Sequence, residues 1–482
     1  MLRNNPSRPC YHFTPPSNWM NDPNGLVYYQ GEYHLFYQYH PASTDWGTMH
    51  WGHAVSRDLV NWQHLPIALY PDEHGTIFSG SAVIDWQNTA GFGKEAMVAV
   101  FTHYREGNRQ SQSLAYSLDQ GRTWTKYRGN PVLHQPDATP DFRDPKVFWH
   151  TEGHWVMSLA AGNTILFHTS PNLINWTLSG TFGSGEYGST GGVWETPDLF
   201  ELCVDGSPET RWVLTVGVQG GSTAIGSGTQ YFVGSFDGRT FTSENPKDTV
   251  LWADHGADYY AAQSWSDEPA GRRIMIGWQN NWLYSGVIPA AAWRGSLSLP
   301  RQLSLTQTAQ GARLVQQPIP ELRSLRGRHQ HWNNETIVPG TDLLSDIKGE
   351  ALEIIAEFQA DAAVERFGFR VRVGTDEFTT IGFDPRQNNL FMDRSHAGQS
   401  GFCNDFAGTH LASFDPPHGI VQLHIFIDCA SVEVFSGDGK AVLTDIIFPS
   451  EQSQGVELFT EGGTVTLNSL DIYQLNPAEF LT

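Results

Sequence analysis

The 482-residue chain carries 51 Asp and Glu against 29 Lys and Arg, a formal charge of -22 at pH 7. That balance argues against nucleic acid or an anionic membrane as partner, because Lys and Arg would have to supply the counter-charge; a neutral ligand is the easier fit. The length suggests two or three domains, and 12% aromatics with 48 Gly and 27 Pro describe an all-β chain of many short strands and turns.

The stretch Met1-Leu2-Arg3-Asn4-Asn5 has no apolar leader core, and no run of about 18 apolar residues follows anywhere. As written, the sequence reads as soluble and cytoplasmic, or as secreted if a leader has been removed. Next comes Trp19-Met20-Asn21-Asp22-Pro23-Asn24-Gly25, a polar stretch of turn-forming residues ahead of the strand-like run Leu26 to Tyr29. Asp144, before Pro145 to Trp149, and Glu195, before Pro197 to Phe200, repeat that placement. Each of the three carboxylates is expected in a turn that leads into an apolar strand.

From about residue 20 to 305 the chain is self-similar. Ser56-Arg57-Asp58 with Trp62, Ser117-Leu118-Asp119 with Trp124, Ser170-Pro171-Asn172 with Trp176, and Ser235-Phe236-Asp237 with Phe241 each read as a hairpin whose second strand opens on an aromatic. A more apolar strand precedes each: His34 to Tyr39, Val98 to Tyr104, Val156 to Ala161 and Val213 to Val218, with a fifth at Ile274 to Trp278. Five sheets of about four strands bury their faces most economically as a radial propeller. In a propeller the first strands line the central axis, so Asn21-Asp22, Phe78-Ser79-Gly80, Arg143-Asp144, Trp194-Glu195 and Asp258-Tyr259-Tyr260 should converge at one end of it.

Residues 306 to 335 break the pattern with Gln316-Gln317-Pro318-Ile319-Pro320 and a basic stretch from Arg323 to His331, which reads as a linker. From 336 to 482, alternating strands at turn-separated intervals predict a β-sandwich. It offers Asp428 and Glu433 but no converging set, and is read as structural or accessory. The expected organisation is a propeller over 1–305, a linker over 306–335 and a sandwich over 336–482. Cys10, Cys203, Cys403 and Cys429 form no CxxC or Cys/His pattern and are expected as free buried thiols. His12, His40, His50 and His53 lack the spacing of a ligand helix, so no metal is expected.

Two carboxylates facing each other across a sugar can break a glycosidic bond, one protonating the leaving oxygen while the other attacks or activates water. Glu195, beside Trp194 and Pro197, has the surroundings of the acid. Asp22 suits the nucleophile. Asp144, next to Arg143, is expected to stay ionised and to hold sugar hydroxyls.

With these motifs in place, the sequence resembles the glycoside hydrolase family of invertases, levanases and inulinases, the β-fructofuranosidases. The resemblance rests on WMNDPNG at 19 to 25, Phe36-Tyr37-Gln38-Tyr39, Phe78-Ser79-Gly80-Ser81, Arg143-Asp144-Pro145 and Trp194-Glu195, and in the sandwich on Ile425 to Asp428 with Ser431 to Phe435. It implies a retaining mechanism with Asp22 as nucleophile, Glu195 as acid and then base, and Asp144 as transition-state stabiliser. It also implies a fructosyl pocket lined by Asn21, Gln38, Trp46, Phe78, Ser79 and Arg143, with no metal or cofactor and with sucrose or a fructan as substrate. Gly277 to Trp282 followed by Trp293-Arg294-Gly295 resembles the exo-acting inulinases and levanases, so Tyr260 of the ring and Trp293 are added to the candidate pocket. The family usually places Cys after the acid/base Glu, where this chain has Thr196; a hydroxyl donating to Glu195 is the expected consequence. A fructosyltransferase of the same family, an inverting furanosidase on a related propeller and a silent fructan-binding protein stay open at this point.

Overall fold

The computed structural model describes residues 8–137, 139–289 and 292–482; Met1 to Asn5, read above for a leader, lie outside them. Five antiparallel sheets come first, and they meet through their first strands. Those strands, Asn18–Tyr29, Thr76–Asp85, Arg143–His150, Trp194–Cys203 and Tyr260–Ser264, pack side by side in blade order, and the fifth returns to the first. The ring is therefore closed, and the sheets are propeller blades.

The repeated Ser-x-Asp/Asn signature has a common cause in the outer hairpins. Asp58, Asp119, Asn172 and Asp237 each use a side-chain oxygen to accept from a backbone N–H three or four residues on, at 2.8, 2.8, 2.9 and 2.7 Å. The short polar side chain thus closes the turn, as such residues do, and the following aromatic starts the outer strand. Blade one is covered at both edges: Trp293–Arg294 runs parallel to its inner strand, and Phe480–Leu481 runs parallel to its outer strand at Trp62 and Gln63. Neither edge of that blade is thereby left free to template further pairing.

The expected linker over 306–335 is mostly strand. Arg301–Thr308 and Gly311–Pro318 are the outer hairpin of blade five, and only the 3-10 turn Pro320–Leu325 connects the two domains. Arg326–Ile337 already belongs to the sandwich. The polar alternation of Arg301–Thr308 concealed this strand: one face is buried and the other solvated, as an outermost propeller strand requires.

The sandwich pairs a six-stranded sheet, ordered Arg326–Ile337, Val465–Leu475, Leu352–Ala360, Ile420–Asp428, Ser431–Ser436 and Val442–Ile446, with a five-stranded one. Their facing sides form one apolar core. Buried charges join this domain to the propeller. Arg301 binds Glu433 at 2.7 Å and Asp254 at 2.9 Å, Arg394 binds Asp258 at 2.7 Å, and His12 lies between Asp428 at 2.8 Å and Glu433 at 3.0 Å. Asp428 and Glu433 are thus interface anchors. Among the cysteines, Cys10 and Cys429 are buried with sulfurs 3.2 Å apart, whereas Cys403 is half-buried and Cys203 exposed, which corrects the expectation of four buried thiols. Among the described residues no helix is long and apolar enough to cross a membrane.

Candidate active site

Every first strand breaks register beside its candidate residue: between Met20 and Pro23, Ile77 and Gly80, Arg143 and Lys146, Glu195 and Asp198, and Tyr260 and Gln263, with a second break in blade one between Asn24 and Val27. A bulge bends a strand and re-aims a side chain, and here it recurs five times at the same level of the ring. Asp144, Thr196 and Ala261 hold their bulges with φ of 66°, 47° and 52°. For β-branched Thr196 that conformation costs on the order of 1–3 kcal/mol. The three carboxylates therefore lie within strands, on bulges, and not in turns ahead of them; Asn18–Tyr29 is a single strand running through the whole of the WMNDPNG stretch.

Asp22 is buried, and both of its oxygens are held. Asn21 Nδ2 donates to Oδ1 at 3.0 Å and Ser79 Oγ to Oδ2 at 2.6 Å; Trp19 Nε1 fixes Asn21 in turn at 2.8 Å. Burial, and after it the nearby negative charge of Glu195, lifts the Asp22 carboxyl to about 6, against the pull of Ser79 and Asn21.

Glu195 receives three hydrogen bonds. Arg143 donates to Oε1 from Nε at 3.1 Å and from a terminal nitrogen at 2.8 Å, and the Tyr260 hydroxyl donates to Oε2 at 2.5 Å. This fork fixes the plane of the carboxyl. Its other end is anchored, because Arg143 also donates to Asp141 at 2.7 Å.

Asp144 departs from expectation. Arg143 spends its donors on Glu195 and Asp141 and comes only within 3.9 Å of Asp144. Burial pushes the Asp144 carboxyl well above the ordinary carboxylate range, with Glu195 and Asp22 adding to the push against Arg143. Sequence adjacency suggested an ion pair; the bulge turns the two side chains apart. A backbone amide holds the Asp144 carboxylate, whose Oδ2 accepts from the Thr196 N–H at 3.0 Å, and its own N–H donates to the side-chain Oγ1 of Thr102 at 3.0 Å. The Thr196 hydroxyl, expected on Glu195, makes no hydrogen bond among the described residues.

The three carboxylates line one cavity of about 320 Å³ together with Asn21, Gln38, Trp46, Phe78, Ser79 and Arg143. Trp46 is half-exposed at the rim, edge-on to Phe78 at 6.1 Å, and Phe78 stacks on Tyr104 at 4.5 Å. Tyr260 stands behind Glu195 and is absent from the lining. Trp293 lies elsewhere, under the Arg8 guanidinium at 4.1 Å, on a separate cavity of about 140 Å³ at the junction with the sandwich.

The cavity also takes Tyr104, Asn108, Gln110, Asp141, Gln219 and Trp282. Several of these had a readable signal: in an antiparallel blade the end of the second strand lies level with the start of the first. Tyr104, Gln219 and Trp282 sit at or just beyond such ends, as Gln38 does in blade one. Four acids against one arginine give the cavity a negative field suited to a cationic transition state. A 3.0 Å amide contact and the donor forks keep its acids in fixed places.

A five-bladed propeller with acids gathered at one end of its axis, backed by a β-sandwich, defines a carboxylate glycoside hydrolase. Residues 12–318 match the glycosyl hydrolases family 32 N-terminal domain, and residues 321–474 the C-terminal domain of the same family. The chain belongs to glycosyl hydrolase family 32. It is 55% identical to a levanase of Bacillus subtilis (strain 168), over 97% of this chain and 70% of that one. It is 40% identical to an extracellular exo-inulinase of Aspergillus niger, over 98% of this chain and 95% of the other. The crystal structure of exo-inulinase from Aspergillus awamori matches with a TM-score of 0.93 at 38% identity, covering 98% of this chain and 99% of that one. The chain is thus a glycoside hydrolase, and the all-β propeller-and-sandwich reading stands.

Proposed function

We propose that the chain releases terminal fructosyl residues from β-fructosides, fructans and sucrose, by a retaining double displacement. The observation that carries this reading is the pair of carboxyls lining one small pocket, Asp22 held by Ser79 and Glu195 held by Arg143. Asp22, with both oxygens oriented, attacks the anomeric carbon while Glu195 gives its proton to the departing glycosidic oxygen. The C–O bond to the leaving sugar breaks and a fructosyl ester of Asp22 forms. Glu195, now a carboxylate, takes a proton from water, whose oxygen attacks the same carbon, frees fructose and returns Asp22. Arg143 and Tyr260 hold the Glu195 carboxyl in one orientation through both steps. Asp144, whose carboxylate accepts from the Thr196 amide and lies 3.9 Å from Arg143, is placed to hold a sugar hydroxyl, and such a hold tightens as positive charge grows on the ring.

A cavity of about 320 Å³ lies at the small end of ligand pockets, which run from about 300 to 1,000 Å³. That favours capture of a chain end over a groove across a polymer. Incubation with sucrose, inulin and levan, with time-resolved identification of products, tests the reading: fructose as the first product from all three supports it. Early release of oligosaccharides from inulin and levan, or transfer of fructose to sucrose as the main outcome, overturns it.

A further inference from the structure

We propose that the outer face of the sandwich carries a transition-metal site built from His329, His331 and Asp471, suited to a divalent ion of the zinc, nickel or copper class. His329 and His331 are two residues apart on Arg326–Ile337, so the period of a strand puts both on one face. Asp471 stands directly opposite His331 on the neighbouring strand Val465–Leu475. The three side chains converge on one point: His329 Nε2 lies 2.7 Å, and His331 Nδ1 2.8 Å, from the same oxygen, Oδ1 of Asp471. With side chains 42%, 40% and 28% exposed, the cluster is open to solution. Two imidazoles and a carboxylate prefer the borderline transition metals to magnesium or calcium.

The spacing asks for a small adjustment. Metal–ligand bonds of about 2.0–2.1 Å in a tetrahedron set ligand atoms about 3.3 Å apart, so the hydrogen-bonded cluster must open by about half an ångström. Exposed rings provide that by rotation. In the metal-free arrangement each facing ring nitrogen is the donor, because a carboxylate oxygen only accepts. On binding, each imidazole carries a proton only on the outward nitrogen, Nδ1 of His329 or Nε2 of His331, leaving the facing lone pair for the metal. The His329 ring has a stacking partner beside it. Tyr473 stacks on His329 at 4.3 Å, and Arg326, whose guanidinium lies 4.1 Å from the Tyr473 ring, is itself neutralised by Glu353 at 2.6 Å.

Two other clusters are less available. In the group His150, Glu152 and His154, Nε2 of His154 already faces the Gly238 carbonyl at 3.0 Å. In the group Cys10, Asp428 and Cys429, the carboxylate is buried and accepts from the amides of Cys10, Tyr11 and His12. The sandwich site has a mechanical consequence besides. Among the described residues Arg326–Ile337 is an edge strand that pairs only with Val465–Leu475, and it directly follows the connector from the propeller. A bound ion would clamp this edge strand in place.

Titration of the full chain with Co²⁺ by absorbance and with Zn²⁺ by calorimetry, alongside His329→Asn, His331→Asn, His150→Asn and Cys429→Ser, tests the site. The expected result is one ion per chain, a Tm that rises with Zn²⁺, and affinity about tenfold or more weaker in either His329→Asn or His331→Asn. His150→Asn and Cys429→Ser should bind as wild type does, and Mg²⁺ should not compete. The exposed positions of His329 and His331 predict an unchanged metal-free Tm in their variants, so a lost ion is not a lost fold. No saturable binding up to about 1 mM, or binding that survives both sandwich variants, overturns the proposal.

Discussion

The backbone N–H of Thr196 donates to Asp144 Oδ2 at 3.0 Å, so the bulge of blade four is fastened to the bulge of blade three. Thr196 reaches that position only by adopting a left-handed backbone, φ 47°, that a β-branched residue resists. The residue that departs from its family's usual pattern therefore acts through its amide, and its side chain has another neighbourhood: the hydroxyl lies close to Gly217.

Thr196→Cys should accordingly leave the alkaline limb of the kcat/KM profile where it is. A hydroxyl donating to Glu195, as expected from the sequence, would instead shift that limb. Matched pH profiles on sucrose decide: coincident limbs fit the observed geometry, and a displaced limb would mean that the hydroxyl reaches Glu195 after all.

Ser79→Ala should move the acidic limb upward. The Ser79 hydroxyl stabilises the charged form of Asp22, whose carboxyl already sits at about 6 through burial and the neighbouring Glu195. Losing that donor disfavours the carboxylate, raises its pKa and withdraws the nucleophile at a higher pH. The kcat/KM profile of the variant below neutrality is the check.

Asp22→Asn should lose turnover by about 10⁴-fold or more while becoming more stable. A carboxyl raised from 3.8 to about 6 binds a proton more readily folded than unfolded, so stability falls as pH climbs through that window. At neutral pH the cost is on the order of 1–3 kcal/mol, and a neutral amide avoids it. Urea denaturation at pH 7 should show the gain, and it should vanish near pH 4.

His12 gives the opposite sign. Its contacts with Asp428 and Glu433 outweigh burial and lift it to about 9, so the stability it contributes is fully present below about 6.5 and is lost as pH rises through 9. His12→Asn should be markedly destabilised at pH 6, because it leaves two buried acids short of a cation, and the gap to wild type should narrow towards pH 9. Thermal unfolding across that range checks it.

The propeller was legible because its signature is local and repeated: a Ser-x-Asp turn that closes on its own backbone and an aromatic that opens the next strand. The candidate acids were legible for a related reason, since each stands at the same level of its blade. Their setting was not. That Asp144 and Thr196 sit on left-handed bulges, and that Arg143 turns away from its sequence neighbour toward Glu195 and Asp141, follows from backbone geometry that no side-chain pattern encodes. Trp293 shows the reverse error, as a residue within a recognisable segment that packs under Arg8 at the domain junction. The outer hairpin of blade five was missed because a half-solvated strand with Gln and Pro at its end resembles a connector.

A covalent fructosyl intermediate on Asp22, which Glu195 helps to make and break, should be caught by Glu195→Ala with an activated fructosyl fluoride and azide. Fluoride leaves without a protonated acid, so the first step should proceed, and azide should then release the sugar without a general base. Rescue of turnover by azide and a fructosyl azide of retained β configuration are expected. An α-fructosyl azide, or no rescue in a variant that still folds, would rule the covalent intermediate out.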